Sequence, residues 1–399
     1  MMKRKTVLLV VLSLLSFAFS GCESSESQPF KVGIERPFIG ENITVPVFDT
    51  NGEEITQITC HGMVELTDEG ILYRSFSDKG TFDYYHYKFE NNETLKIGEI
   101  KDWDYETVYD RKIINGHLYT FITTGNMLDP EERVLHLYDF DLSSGLSNVI
   151  YSQPGGFPYA LLETLGNDLI VVRDVNGDQS IERFDTSTRT FEPMISYFYD
   201  NDLNCGDAVR HISTDGEVIT VLRVSNTDGN DRLFLDCYDT NFNLISNLEI
   251  SELFSVTDDP NNEIKQGCED FFFSRDILYY ENFSSTRFLT GISENGFDEL
   301  IDNDINFSSY LSLTHNIDNK VFYRGYTNSM YIYNIDDNAV DNVEFYAPND
   351  KYVITGGSFN SKDEVLISMN YRDPSTGERL PSELYFTNLS ELMDLSVKN

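Results

Sequence analysis

The chain has 399 residues, and 67 acidic side chains face 29 basic ones, a formal net charge of -38. Duplex binding relies on Lys and Arg neutralising phosphates, so this balance excludes nucleic acid as a partner and disfavours direct adhesion to an anionic membrane face. An acidic disordered chain would be poor in aromatics. Here 24 Tyr and 28 Phe supply core material, so the chain is acidic but folded.

Residues 1–21 read as a signal peptide. Lys3, Arg4 and Lys5 form a charged start, Thr6 to Phe19 is mostly apolar, and Ser20-Gly21 place small residues before Cys22. The apolar run is too short to favour a membrane span. Small residues directly before a cysteine resemble a bacterial lipoprotein signal, although Phe19 stands where that family usually has Leu. The resemblance implies that Cys22 becomes the first mature residue and carries a lipid. The protein is then expected outside the cytoplasm, membrane-anchored through its N-terminal lipid, with residues 22–30 as a polar tether. Cys60, Cys205, Cys237 and Cys268 remain. Export permits disulfides, but four cysteines allow three connectivities, and four free thiols fit the sequence equally.

Residues 30–60 contain a hairpin signal: Ile43 to Phe48, a turn around Asn51-Gly52, and Ile55 to Thr59. Part of this segment is expected to complete the last unit of the repeat that follows.

From residue 62 a pattern recurs. A turn rich in Asp, Asn and Gly precedes an apolar strand, then come a polar loop, a second strand and another turn. The strands begin at Ile71, Leu118, Leu169, Val218, Ile277, Val321 and Val365, at intervals of 44 to 59 residues. The second strands are Tyr84 to Phe89, Val134 to Phe140, Ile181 to Phe184, Leu233 to Tyr238, Arg287 to Ile292, Tyr331 to Ile335 and Leu384 to Phe386. Several close on an aromatic followed by Asp: Tyr138-Asp139, Phe184-Asp185 and Tyr238-Asp239. Such an Asp suits a turn start, because its side chain bonds the backbone two residues on. Short strands rich in Val, Ile, Tyr and Phe, with this punctuation and period, predict an all-β chain. The period is that of a β-propeller over residues 31–399, best fitted by seven blades of about four antiparallel strands, with six or eight also within the length. The pattern resembles bacterial lipoprotein propellers of the TolB-like and WD40-like kinds. It does so by pattern and not by signature, since Trp103 is the sole tryptophan and no Gly-His…Trp-Asp motif is present.

The most specific local signal is Asp174-Val175-Asn176-Gly177-Asp178-Gln179-Ser180-Ile181-Glu182. Asp174, Asn176, Asp178 and Glu182 place oxygens at positions 1, 3, 5 and 9, and Ser180 offers its carbonyl at 7. Calcium takes six to eight oxygens from a tightly wound loop. The segment resembles the calcium loops of FG-GAP-type propeller repeats, with Gln179 in place of Gly and Glu182 in place of Asp. The alternative is a hairpin with an Asn-Gly turn. Asn226 to Asp231 occupies the equivalent place in the next repeat and reads as a turn. A longer spacing across Ile250 to Gln266 marks an insertion, the kind of loop that carries binding function.

His61, His86, His117, His136, His211 and His315 are scattered, and His86 and His136 are expected to be structural. No GxSxG, HExxH or phosphate-loop motif occurs, and catalytic residues are not identifiable. The tyrosines are expected in sheet packing, the other reading being a stacking surface for sugar or peptide. The leading expectation is a non-catalytic binding or scaffold module for a protein or glycan at the cell envelope, with calcium as the one implied cofactor. The competing class is a glycan-acting hydrolase or lyase with acids at the central channel.

Overall fold

The computed structural model describes residues 41–43, 47–48 and 54–55, and most of 64–251. Beyond these it describes the strands between 270 and 388 with the turn 360–363, residue 390 and the pair 397–398. Residues 1–38 lie outside the described residues, and with them the signal, the tether and Cys22. Among the described residues no helix is long and apolar enough to cross a membrane.

Regular structure is nearly all β. The first sheet runs Val64–Leu66, Gly70–Ser77, Thr81–Lys88 and Glu93–Ile100. The second runs Thr107–Ile114, His117–Thr124, Val134–Asp141 and Ser147–Pro154. In both, chain order is spatial order and neighbours are antiparallel. Next comes an eight-stranded sheet from Leu161–Leu165 to Leu244–Glu249. Among the described residues its halves, 161–200 and 205–249, share just two ladder pairs, Tyr199↔Gly206 and Asp200↔Cys205, so they act as a third and a fourth meander. Strands Asp270–Ser274, Ile277–Asn282, Ser285–Thr290 and Glu299–Ile301 form the next sheet. His315–Ile317, Lys320–Arg324, Ser329–Asn334 and Ala339–Glu344 form the one after it, with Val397–Lys398 added at its edge. In the last sheet, Tyr352–Phe359, Glu364–Arg372 and Arg379–Asn388 are completed by Glu41–Ile43, paired from Glu41↔Phe386 to Ile43↔Leu384.

The expected run Ile43 to Phe48 is not one strand. Glu41–Ile43 joins the last sheet, while Val47–Phe48 pairs with Glu54–Ile55. Pro46, which has no amide hydrogen to give a ladder, lies between the two pieces.

Burial explains why these sequences stack as sheets. The second strand His117–Thr124 is buried along nearly its whole length, Val134–Asp141 alternates, and the outer Ser147–Pro154 is largely exposed. A strand flanked by neighbouring sheets on both faces must be apolar on both. Successive residues therefore serve opposite seams. Leu169 and Val171 pack towards the second sheet with Tyr119, Phe121 and Leu137, whereas Ile170 and Val172 pack towards the fourth with Val209, Ile219 and Val221. Each such side chain contributes about 1.5–3 kcal/mol by burial. Ile71 and Tyr73 pack on Leu366 and Leu384 of the last sheet, while Leu72 and Tyr84 pack on Leu118 and Phe140 of the second. First and last sheets thus meet, and the Leu66 amide donates to Ser358 Oγ across that seam at 2.8 Å.

Candidate functional site

The two ends of the sheets differ. At one end lie the connections between first and second strands and between third and fourth strands, and those described there are short. Asn115 and Gly116 adopt φ of 51° and 77°, the left-handed pair of a two-residue hairpin turn. The third-to-fourth turns of the second, third and fourth sheets are capped by Asp. Asp141 Oδ1 accepts from the Ser143 and Ser144 amides, Asp185 Oδ1 from those of Ser187 and Thr188, and Asp239 Oδ1 from those of Asn241 and Asn243. Hydrogen bonds from Ser143 hold the Asp141 carboxyl well below its ordinary range; those from Ser187 and Thr188 bring Asp185 down to about 2, and those from Asn243 lower Asp239.

One residue departs from the expected role. Asp139 does not start a turn. It is buried, accepts from His117 Nδ1 at 2.6 Å, and pairs with Arg189 from the third sheet. The turn belongs to Phe140-Asp141, two residues later. Both pairs are aromatic-Asp, and spacing alone does not separate them.

One long connection, 291–298 between a third and a fourth strand, lies at the end of the short turns and outside the described residues; the longer connections between sheets and between second and third strands leave the opposite end. They include residues 101–106, 126–131, 155–159 and 252–269, which lie outside the described residues together with the turn Thr227 to Asp231. The axis between the ends is lined by first strands. Arg111 pairs with Glu65 of the preceding sheet, and Lys112 Nζ donates to Glu163 Oε2 of the following sheet at 3.0 Å. His211, on the fourth sheet's first strand, is held down at about 4 by burial and then by the charge of Lys112, so it is neutral at pH 7. Among the described residues, two adjacent cations of the second sheet's first strand thus each pair with an acid on the first strand of a neighbouring sheet.

The candidate calcium segment is a hairpin in which Asp174 faces Gln179 and Val175 faces Asp178 across residues 176–177. Asn176 lies outside the described residues, as do the side chains of Asp174 and Asp178. Ser180 and Glu182 are buried on the returning strand, and Arg173 Nε donates to Glu182 Oε2 at 2.6 Å. Gln179 is also buried, accepting from the Val209 amide of the fourth sheet at 2.5 Å. Among the described residues no group of three or more His, Cys, Asp or Glu side chains is placed to hold a metal.

The histidines expected to be structural have structural partners. His86 is buried, with Nδ1 3.1 Å from the Leu142 carbonyl of the second sheet and Nε2 3.3 Å from Thr67 Oγ1. His136 lies 2.7 Å from Ser152 Oγ and 3.0 Å from Thr124 Oγ1. Burial lowers the pKa of both. Tyr73, Tyr84, Tyr85 and Tyr197 are buried in the seams. Cys237 is half-buried on the third strand of the fourth sheet.

A set of residues that pattern reading passed over is Arg at the end of the second strand's apolar run. Arg223 pairs with Asp236 at 2.8 Å and Asp207 at 2.9 Å while lying over the ring of Phe234. Arg173 does the same with Glu182 and two rings. The signal was present as Tyr73-Arg74, Val172-Arg173, Leu222-Arg223 and Tyr323-Arg324, a cation recurring where neighbours are apolar.

No family description and no curated protein matches the chain. Solved structures do. One is YCF48 bound to D1 peptide, at 12% identity over 86% of this chain and 100% of that one, TM-score 0.50. A chain of the mitotic checkpoint complex matches at 9% identity over 90% and 97%, TM-score 0.49. The computationally designed Ika8 protein matches at 9% identity over 84% and 87%, TM-score 0.45. At such identities likeness concerns fold alone, and together with the four-stranded antiparallel sheets it makes the chain an all-β propeller.

Proposed function

We propose that this propeller is a non-catalytic binding module for a protein partner, read as seven-bladed and presented outside the cytoplasm on a lipid carried by Cys22. One observation carries the binding reading: in the second, third and fourth sheets short Asp-capped turns close one end, while the connections 101–106, 126–131, 155–159 and 252–269 leave the other. Loops on a rigid scaffold are where recognition sites concentrate. The neighbour matched along its whole length, YCF48, is itself bound to a peptide. A segment of protein at the loop end is the ligand class that fits.

Affinity capture from the native cell envelope tests this. The intact chain should recover a protein, and a variant with residues 252–266 replaced by a Gly-Ser linker should lose it. Recovery of no protein by the intact chain would count against the reading. Cys22→Ser should move the protein from the membrane to the soluble fraction.

For the hairpin Asp174 to Glu182, calcium remains our proposal for the ligand. Glu182 would have to exchange Arg173 for the ion, so binding should be weak and coupled to that pair. Calorimetric titration of chelated protein decides it, and no heat at millimolar calcium rejects the site.

A further inference from the structure

The outer strands of the first four sheets share one device. Each takes a β-bulge, at the register shifts beside Tyr84/Tyr85, Leu137/Tyr138, Ile181/Glu182 and Cys237/Tyr238. A bulge breaks the regular row of amides and carbonyls that an edge strand offers to a passing chain. The outer strand Ala339–Glu344 has none. It pairs with Ser329–Asn334 over six consecutive positions without a shift. This unbroken edge is also where a distant part of the chain has added a strand, with Val397 opposite Asn342 and Lys398 opposite Asp341.

Among the described residues that added strand covers two positions, with Ala339, Val340, Val343 and Glu344 beyond it. A two-residue strand makes few ladder bonds and places few side chains on the edge, so a segment that pairs along more of the six positions would displace it.

We propose that the edge Ala339–Glu344 is a strand-docking site for an extended segment of a partner protein, one carrying an apolar residue followed by Lys or Arg, and that Val397–Lys398 occupies it as an exchangeable placeholder. The chemistry comes from the present occupant: main-chain pairing supplies affinity, and a cation opposite Asp341 supplies register. The chain's net charge of -38 favours a basic partner and opposes pairing with a second copy of itself. This site is separate from the loop end and stands or falls independently of it.

The probe is a fluorescently labelled peptide with the sequence of residues 392–399, Leu-Met-Asp-Leu-Ser-Val-Lys-Asn. Full-length Val397→Pro, which cannot complete its own ladder, should bind it at least tenfold more tightly than the unmodified chain. Adding Asp341→Lys should abolish the gain. Amide exchange should slow at residues 339–344 when the peptide is bound. Equal binding by the unmodified and Val397→Pro chains, or binding by neither, would overturn the proposal. Dimerisation of Val397→Pro in sedimentation without peptide would assign the edge to a second copy and overturn the choice of partner.

Discussion

Arg173 Nε lies 2.6 Å from Glu182 Oε2, and the same guanidinium sits 4.1 Å from the ring centroid of Tyr151 and 4.4 Å from that of Phe191. Tyr151 belongs to the second sheet and the other three residues to the third. One cation thus joins a cross-strand ion pair to an inter-sheet stack, in a place that leaves both charges mostly buried.

Removing one partner of a buried pair leaves an uncompensated charge, at a cost of about 3–5 kcal/mol. Arg173→Ala should lower stability by that order in urea unfolding. Arg173→Met with Glu182→Met should recover more than half of the loss, because the pair is then replaced and not broken. A double variant as unstable as the single one would contradict this.

Gly98 is a second pressure point. A Cβ there would run into the ring of Phe140, across the seam between first and second sheets. Gly98→Ala should cost about 1–3 kcal/mol by overpacking. Phe140→Leu in that background should return part of it, whereas Phe140→Leu alone should destabilise. The comparison of four unfolding midpoints decides the matter.

Acid should destabilise the protein through its histidines. His211 is lowered to about 4, and His86 and His136 are lowered below the ordinary value near 6.5. The unfolded chain then binds more protons than the folded one, so stability is complete above about pH 6.5 and falls as pH drops towards 4. His211 by itself accounts for at most about 1.4 kcal/mol per pH unit in that window. Urea midpoints at pH 7 and 4.5 should differ, and His211→Gln should shrink the difference. A flat profile would refute the neutral imidazole at His211.

Glu41–Ile43 supplies the outer strand of the last sheet. Deleting residues 30–55 should lower Tm by about 5 °C or more, since it strips a paired edge from the sheet that closes on the first. An unchanged melting curve would show that this strand adds no stability.

Much of the fold was legible because its instructions are local. Alternation such as Val134–Asp141 and turn pairs such as Asn115-Gly116 involve residues within one strand or one turn, so period and punctuation exposed them. Asp185 and Asp239 were readable as turn starts for the same reason, their acceptor atoms bonding amides two to four residues on. Asp139 was not, because its partners His117 and Arg189 arrive from another strand and another sheet.

Composition, period and punctuation are enough to specify an acidic, aromatic-rich, repeated β chain whose inner strands must be covered on both faces. Which residues meet across the seams depends instead on how whole sheets pack. Arg173 with Tyr151, Lys112 with Glu163, His86 with the Leu142 carbonyl, and Leu66 with Ser358 are contacts between sheets. Such pairings depend on how far each twisted sheet is rotated against the next. That rotation is set by side-chain volume summed over a whole seam, and no single stretch of sequence encodes it.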